Sequence, residues 1–66
     1  MTLDKIKLYV HEHVIGTIDN CVEFKDIETL ERWLVDCKRE IQRREEAKEN
    51  TFPLYYEKAY LEMVLN

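Results

Sequence analysis

The chain has 66 residues, of which 36% are charged and 45% hydrophobic, and its formal net charge is −4 at pH 7. A chain of this length (residues 1–66) forms one small domain and is too short to enclose a deep substrate cleft, so we expect no enzymatic activity and no cofactor. The negative charge disfavours non-specific binding to nucleic acid or to an anionic membrane.

The N-terminal segment has the alternating pattern of a half-buried β-strand. Residues 5–11 place Ile6, Leu8 and Val10 on one face of a strand, with polar or aromatic side chains on the other. This strict alternation predicts a strand that covers a core with one face only.

A second run rich in β-branched side chains, residues 14–18, precedes the turn-prone pair Asp19–Asn20. We predict a β-hairpin in which residues 3–11 pair with residues 14–23. A hairpin that closes at Asp19–Asn20 is the alternative, and the pattern leaves the register open.

The next segment has the clearest pattern in the chain, that of an amphipathic helix. Asp26 is suited to accept hydrogen bonds from the first turn as an N-cap. Apolar side chains then recur at steps of three and four residues, with Trp33 beside them: Ile27, Leu30, Leu34, Cys37 and Ile41. This spacing predicts a helix from Ile27 to Ile41 that packs on the hairpin.

After Ile41 the apolar stripe stops, but good helix formers continue to Glu49. A helix from Ile27 to Glu49 is about 34 Å long, whereas a 66-residue domain is roughly 28 Å across. Its far end must therefore overhang or be supported by a neighbour. Within the helix, Glu28–Arg32 and Glu40–Arg44 are predicted ion pairs with the acid placed first.

The C-terminal stretch predicts a second helix of about 12 residues that begins near Pro53, since proline suits the first turn. A helical projection gives a wide apolar face with these members: Tyr55, Tyr56, Ala59, Tyr60, Met63 and Val64. It also gives a narrower ridge of Leu54, Leu61 and Leu65. The predicted fold is therefore α+β, with a β-hairpin, a long helix and a short C-terminal helix in the order ββαα.

This helix has more apolar surface than one small core can bury, which indicates a surface for another molecule. Tyrosine and methionine are both enriched at protein interfaces. The predicted interface residues are Tyr55, Tyr56, Tyr60, Leu61, Met63 and Leu65. We predict a small non-enzymatic protein–protein interaction module, a regulator or inhibitor that forms a homodimer and binds a protein partner whose identity the sequence does not reveal.

Two alternative functions involve charge. The basic segment 38–44 could contact a phosphate backbone through four side chains: Lys38, Arg39, Arg43 and Arg44. Acidic residues are interleaved with these bases, so a solvated helix face is the simpler interpretation. The opposite alternative is an acidic surface that mimics nucleic acid and inhibits an enzyme acting on it, formed by Asp19, Glu23, Asp26, Glu28 and Glu31.

Few residues offer chemistry. His11 and His13 would share one side of a strand, where Cys21 could add a third metal ligand, but no other ligand spacing accompanies them and no metal site is predicted. The chain has no serine, and its single glycine excludes a glycine-rich phosphate loop. Cys21 and Cys37 are too few for a disulfide framework and no run is long enough to cross a bilayer, so we expect a cytoplasmic protein without membrane contact.

Overall fold

The computed structural model describes residues 3–66, and these residues form four α-helices. They are α1 (Leu3–Lys7), α2 (Glu12–Glu23), α3 (Ile27–Glu46) and α4 (Phe52–Leu65). No β-strand occurs in this part of the chain. The predicted β-hairpin, and with it the α+β fold, is therefore wrong, and the described chain is all-helical.

The hairpin prediction failed first in residues 5–11, where a short helix and a turn replace the predicted strand. α1 ends at Lys7, and the backbone N–H groups of Leu8 and Tyr9 then donate to the carbonyls of Lys5 and Ile6, at 3.2 and 3.0 Å. Ile6 and Val10 are 2% and 8% exposed, whereas Leu8 between them is 80% exposed. A strand would bury all three on one face, and the turn after α1 instead directs Leu8 to solvent.

In α2 the β-branched residues also follow a helical spacing. Val14, Ile15, Ile18 and Cys21 recur at steps of one, three and three, so that they share one face; Ile18 is fully buried and the others pack against the core. Helix propensities differ by at most about 0.7 kcal/mol per ordinary residue. Burial of one isoleucine contributes about 1.5–3 kcal/mol, so packing outweighs the β preference of these side chains.

The connections after α2 and α3 are built alike. Lys25 and Lys48 follow the two helices and have positive φ angles of 57° and 58°. In each case the backbone N–H groups of this lysine and of the next residue donate to carbonyls of the last helical turn, at 2.8–3.1 Å. This is the Schellman arrangement, in which glycine is the usual residue at the left-handed position.

The prediction of α3 is confirmed at its start and along most of its apolar stripe, of which Ile27 is the exception at 44% exposed. Asp26 is the N-cap and accepts a hydrogen bond from the backbone N–H of Thr29 at 3.3 Å. Leu30, Cys37 and Ile41 are buried. α3 ends at Glu46, about one turn before the predicted Glu49.

The far end of α3 is supported by the start of α4. The Tyr55 hydroxyl donates to the Glu45 carboxylate, and the Arg44 side chain donates to the Asn50 carbonyl at 3.4 Å. The predicted pairs within α3 also form: Glu28 lies 3.6 Å from Arg32, and Glu40 lies 3.0 Å from Arg44.

α4 packs against α3 in the antiparallel direction. The Trp33 indole N–H donates to Glu57 at 3.0 Å, and the Cys37 thiol donates to the Leu54 carbonyl at 3.4 Å. From Trp33 to Cys37 the contacts advance along α3, while their partners go back along α4 from Glu57 to Leu54, as antiparallel helices require.

The remaining helices close the core against α4. α1 packs on it, with the Lys7 ammonium 5.9 Å from the centre of the Tyr60 ring, and α2 is tied to it by a hydrogen bond from the Tyr60 hydroxyl to Asp19 at 2.6 Å. The fully packed core consists of Ile6, Val10, Ile18, Leu30, Cys37, Ile41, Tyr60 and Leu61. Among the described residues we find no helix with both the length and the apolarity that a membrane span requires.

Candidate functional site

The two sides of α4 differ in what covers them. On the inner side Tyr60 and Leu61 are 1% and 0% exposed, because α1, α2 and α3 contact this side. Leu54, Val64 and Leu65 are half-buried around them and pack against the same core. The inner side is therefore part of the fold of the monomer.

Four residues on the other side form what we call the outer stripe of α4: Phe52, Tyr55, Ala59 and Met63. They follow one another at steps of three, four and four residues, which aligns them along one line of a helix. Phe52, Tyr55 and Met63 are 54%, 46% and 41% exposed, and Ala59 is half-buried. Tyr55 contacts Glu45 of α3, and Ala59 packs against the core. The three larger side chains nevertheless keep about half of their surface open to solvent.

A cavity lies at the N-terminal end of the outer stripe. Its volume is about 260 Å³, and it is lined by Phe52, Tyr55, Tyr56 and Ala59. All four side chains are aromatic or apolar, and the cavity is open to solvent. It can therefore accept an apolar side chain from outside the monomer.

One edge of this cavity is an aromatic cluster that joins the turn after α1 to α4. The Tyr9 ring stacks on Tyr56 at 4.5 Å between centroids and meets Phe52 edge-on at 6.0 Å. Tyr9 is 53% exposed, and its neighbour Leu8 is 80% exposed. The sequence interpretation missed Tyr9, because a strand would have pointed it to solvent away from α4; its aromatic character was the available signal.

The opposite edge of the stripe is polar. Lys58 and Glu62 form an ion pair at 3.1 Å, one turn apart. Tyr55 borders this edge, and its hydrogen bond to Glu45 raises its pKa above the ordinary value. A second cavity of about 200 Å³ adjoins it and is lined by Lys38, Ile41, Gln42, Glu45, Tyr55 and Lys58.

The structure divides the predicted interface residues between these two sides. Tyr55 and Met63 lie on the outer stripe, and Tyr56 lies at its edge, half-buried under Tyr9. Tyr60 and Leu61 lie in the core of the monomer. Leu65 is half-buried against that core.

The basic residues proposed for nucleic-acid contact are partly neutralised by one acid. Arg43 and Arg44 both bind the Glu40 carboxylate, with closest distances of 2.5 and 3.0 Å. These hydrogen bonds, that of Arg43 foremost, lower the pKa of Glu40 to about 2. Lys38 and Arg39 are exposed on the same helix. A phosphate would compete with Glu40 for both arginines, and nucleic-acid binding stays a prediction.

Three acids of the predicted nucleic-acid mimic have partners within the fold. Asp19 accepts from Tyr60, Asp26 caps α3, and Glu28 pairs with Arg32. The other two, Glu23 and Glu31, are exposed. These structural roles account for much of the acidic cluster, and mimicry stays a prediction.

His11 and His13 serve the start of α2 in this structure. The Nδ1 atom of His11 accepts a hydrogen bond from the backbone N–H of His13 at 3.1 Å, which makes His11 the N-cap. The shared strand face on which a metal site depended does not form. No group of three possible ligands occurs in the described part of the chain, Cys21 included.

Burial makes Cys37 an unreactive thiol. Desolvation, assisted by the nearby Glu57 carboxylate, raises its pKa to about 11. A protonated thiol is a weak nucleophile and a weak metal ligand. Cys37 therefore acts as a small apolar core residue.

Comparisons of this chain with known protein families, with curated proteins and with solved structures found no match.

Proposed function

We propose that this protein is a small non-enzymatic interaction module that associates with a second copy of itself through the outer stripe of α4. The observation that carries the proposal is the exposure of Phe52, Tyr55 and Met63 along one line of a helix whose other side packs against the core through Tyr60 and Leu61. Scattered exposed apolar residues are normal on protein surfaces, but a contiguous set beside an apolar cavity marks an interaction site.

The size of this surface supports a reversible complex. A large aromatic side chain buries about 150–250 Å² when fully covered, so the half-exposed Tyr9, Phe52 and Tyr55 offer roughly 100 Å² each. With Met63 and the surrounding rim, one copy can bury about 500 Å², and two copies about 1,000 Å². This total is near the lower limit for a specific interface, so we expect an affinity in the micromolar range.

A second copy suits the surface because the stripe has both a concave and a projecting part. The cavity between Phe52 and Ala59 is concave, and Met63 projects with 41% of its surface exposed. Methionine is unbranched and adapts to irregular apolar surroundings. One stripe therefore supplies both halves of a contact.

Regulation or inhibition is the role that we propose for such a module. A chain of 66 residues acts most simply by covering a surface of another molecule, and self-association would control how much of the outer stripe is available. The cytoplasm is our proposed compartment, supported by the free thiols of Cys21 and Cys37.

Sedimentation velocity from about 5 to 500 µM tests the proposal, since this range brackets a micromolar dissociation constant. We expect the wild type to shift from monomer to dimer, and Met63→Glu and Tyr55→Glu to stay monomeric. Val35→Glu is the matched control, because Val35 is 48% exposed on α3 and lines neither cavity. A wild type that stays monomeric throughout, or a Val35→Glu variant as defective as the other two, contradicts the proposal.

A further inference from the structure

We infer that the two copies meet across a two-fold axis with their α4 helices antiparallel, with Ala59 nearest the axis and the Met63 side chain of each copy in the cavity of the other. This geometry rests on the proposed self-association and specifies which residues meet.

The first argument is the spacing of the outer stripe about Ala59. Tyr55 lies four residues before Ala59, and Met63 lies four residues after it. If two antiparallel helices cross at Ala59, then Tyr55 of one copy faces Met63 of the other, and the same contact occurs again on the far side of the axis. Such repetition is what a two-fold interface requires.

The second argument is the size of the residue at the crossing point. Helix axes in close contact lie 8–10 Å apart, and small side chains at the crossing permit the shorter distances. Ala59 is the smallest residue of the stripe and is flanked by larger ones on both sides. The stripe is therefore narrowest where two helices would approach most closely.

The third argument is the fit of Met63 to the cavity. A methionine side chain has four heavy atoms. At about 30 Å³ each, the volume of one water molecule in the liquid, they occupy roughly 120 Å³. The cavity of about 260 Å³ has room for these atoms, and aromatic rings of Phe52, Tyr55 and Tyr56 form its wall. Contacts between a thioether sulfur and aromatic rings are favourable. Met63 thus has the shape and the chemistry for this site.

The fourth argument is charge, and it selects the antiparallel orientation. Lys58 and Glu62 lie on the same edge of the stripe, 3.1 Å apart. An antiparallel crossing near Ala59 brings Lys58 of one copy beside Glu62 of the other, twice. A parallel pair would instead set the polar edge of each helix against the other edge of the partner's stripe, where Tyr56 lies, and would leave Lys58 and Glu62 without a charged partner across the interface.

Disulfide mapping tests this geometry. Tyr55→Cys and Met63→Cys are made separately in a Cys21→Ala background, in which the remaining Cys37 is buried with a raised pKa. Each variant alone, and an equal mixture of the two, is oxidised with copper phenanthroline above the dimer dissociation constant. Circular dichroism checks that each variant is folded before oxidation.

We expect the mixture to form a disulfide between positions 55 and 63, in at least ten-fold greater yield than either variant forms with itself. Within one variant the two introduced thiols are offset by eight residues across the axis, about 12 Å along the helices. This exceeds the roughly 7 Å limit on the Cα separation of a disulfide. The mixture alone therefore meets the geometric requirement.

A charge exchange provides a second readout that involves no thiol. Glu62→Lys should weaken the dimer at least five-fold, and the double variant Lys58→Glu with Glu62→Lys should restore it, because the pattern is again complementary in the antiparallel arrangement. Failure of the double variant to restore the dimer contradicts the charge argument.

The possible results separate this inference from the proposed function. Efficient disulfide formation by each single variant with itself would indicate a parallel pair and overturn the inference. A wild type that dimerises while no combination forms a disulfide would overturn the geometry and leave self-association standing. A monomeric wild type would overturn both.

Discussion

The two sides of α4 carry the same kinds of residue and have opposite surroundings. Tyr60 and Leu61 on the inner side are 1% and 0% exposed, whereas Tyr55 and Met63 on the outer stripe are 46% and 41% exposed. Residue type does not distinguish them. The difference lies in which helices pack on each side, so the inner side should determine stability and the outer stripe should determine association.

The largest expected effect on the free energy of unfolding comes from comparing a substitution on the inner side of α4 with one on the outer stripe. Leu61→Ala removes a fully buried side chain and should lower the free energy of unfolding by about 3 kcal/mol. Met63→Ala should lower it by less than about 1 kcal/mol in the monomer, since a surface substitution creates no cavity. Urea denaturation at a protein concentration below the dimer dissociation constant measures both. Equal losses for the two variants would contradict the assignment of the sides.

The two tyrosines give a matched comparison of lesser magnitude, because each donates to a carboxylate. Tyr60→Phe removes a part-buried hydrogen bond to Asp19 and should cost about 1 kcal/mol. Tyr55→Phe removes an exposed hydrogen bond to Glu45 and should change monomer stability little. The same denaturation experiment measures both, and a larger loss for Tyr55→Phe would show that the outer stripe contributes to the fold.

Alkaline pH should reduce the stability cost of Tyr60→Phe. Burial and the hydrogen bond to Asp19 raise the pKa of Tyr60 well above its ordinary value near 10. The folded state then holds this proton more tightly than the unfolded state, so the contribution is complete below pH 10 and is lost as the pH rises further. Tyr60→Phe should reduce the loss of unfolding free energy between about pH 9 and pH 11. An unchanged slope would contradict the buried hydrogen bond.

The smallest expected effect lies on neither side of α4. Gly16 is in α2, and a methyl group added there meets no atom within 4 Å. Gly16→Ala should therefore raise the free energy of unfolding by up to about 1 kcal/mol through helix propensity, and leave the dimer dissociation constant unchanged. Thermal and sedimentation measurements on one sample check both. A loss of stability would contradict the helical assignment of α2.

The sequence predicted the C-terminal half of the fold better than the N-terminal third. In α3 the buried positions and the Asp26 cap form a pattern that only a helix satisfies. In residues 5–11, by contrast, the alternation of Ile6, Leu8 and Val10 is typical of a strand, and no glycine or proline marks the turn that follows α1 at Lys7. The spacing of Val14, Ile15 and Ile18 did indicate a helix, but their β-branched side chains favoured the wrong interpretation.

The candidate surface could be located on α4 from the sequence, but not its boundary. The helical projection placed Tyr55, Tyr56 and Tyr60 on one wide face, and the structure divides that face between solvent and core. The division depends on where α1 and the turn after it pack, with Lys7 over Tyr60 and Tyr9 over Tyr56. Contacts between segments so distant in the chain leave no periodic signal in the sequence.

The separation of stability from association is tested most directly by the thermal midpoint as a function of protein concentration, for the wild type and Met63→Glu. A dimer that dissociates on unfolding is stabilised by mass action, so the wild-type midpoint should rise between about 5 and 500 µM. The Met63→Glu midpoint should stay constant and coincide with that of the wild type at the lowest concentration. A wild-type midpoint that does not depend on concentration, or a Met63→Glu midpoint far below it at every concentration, would contradict the account.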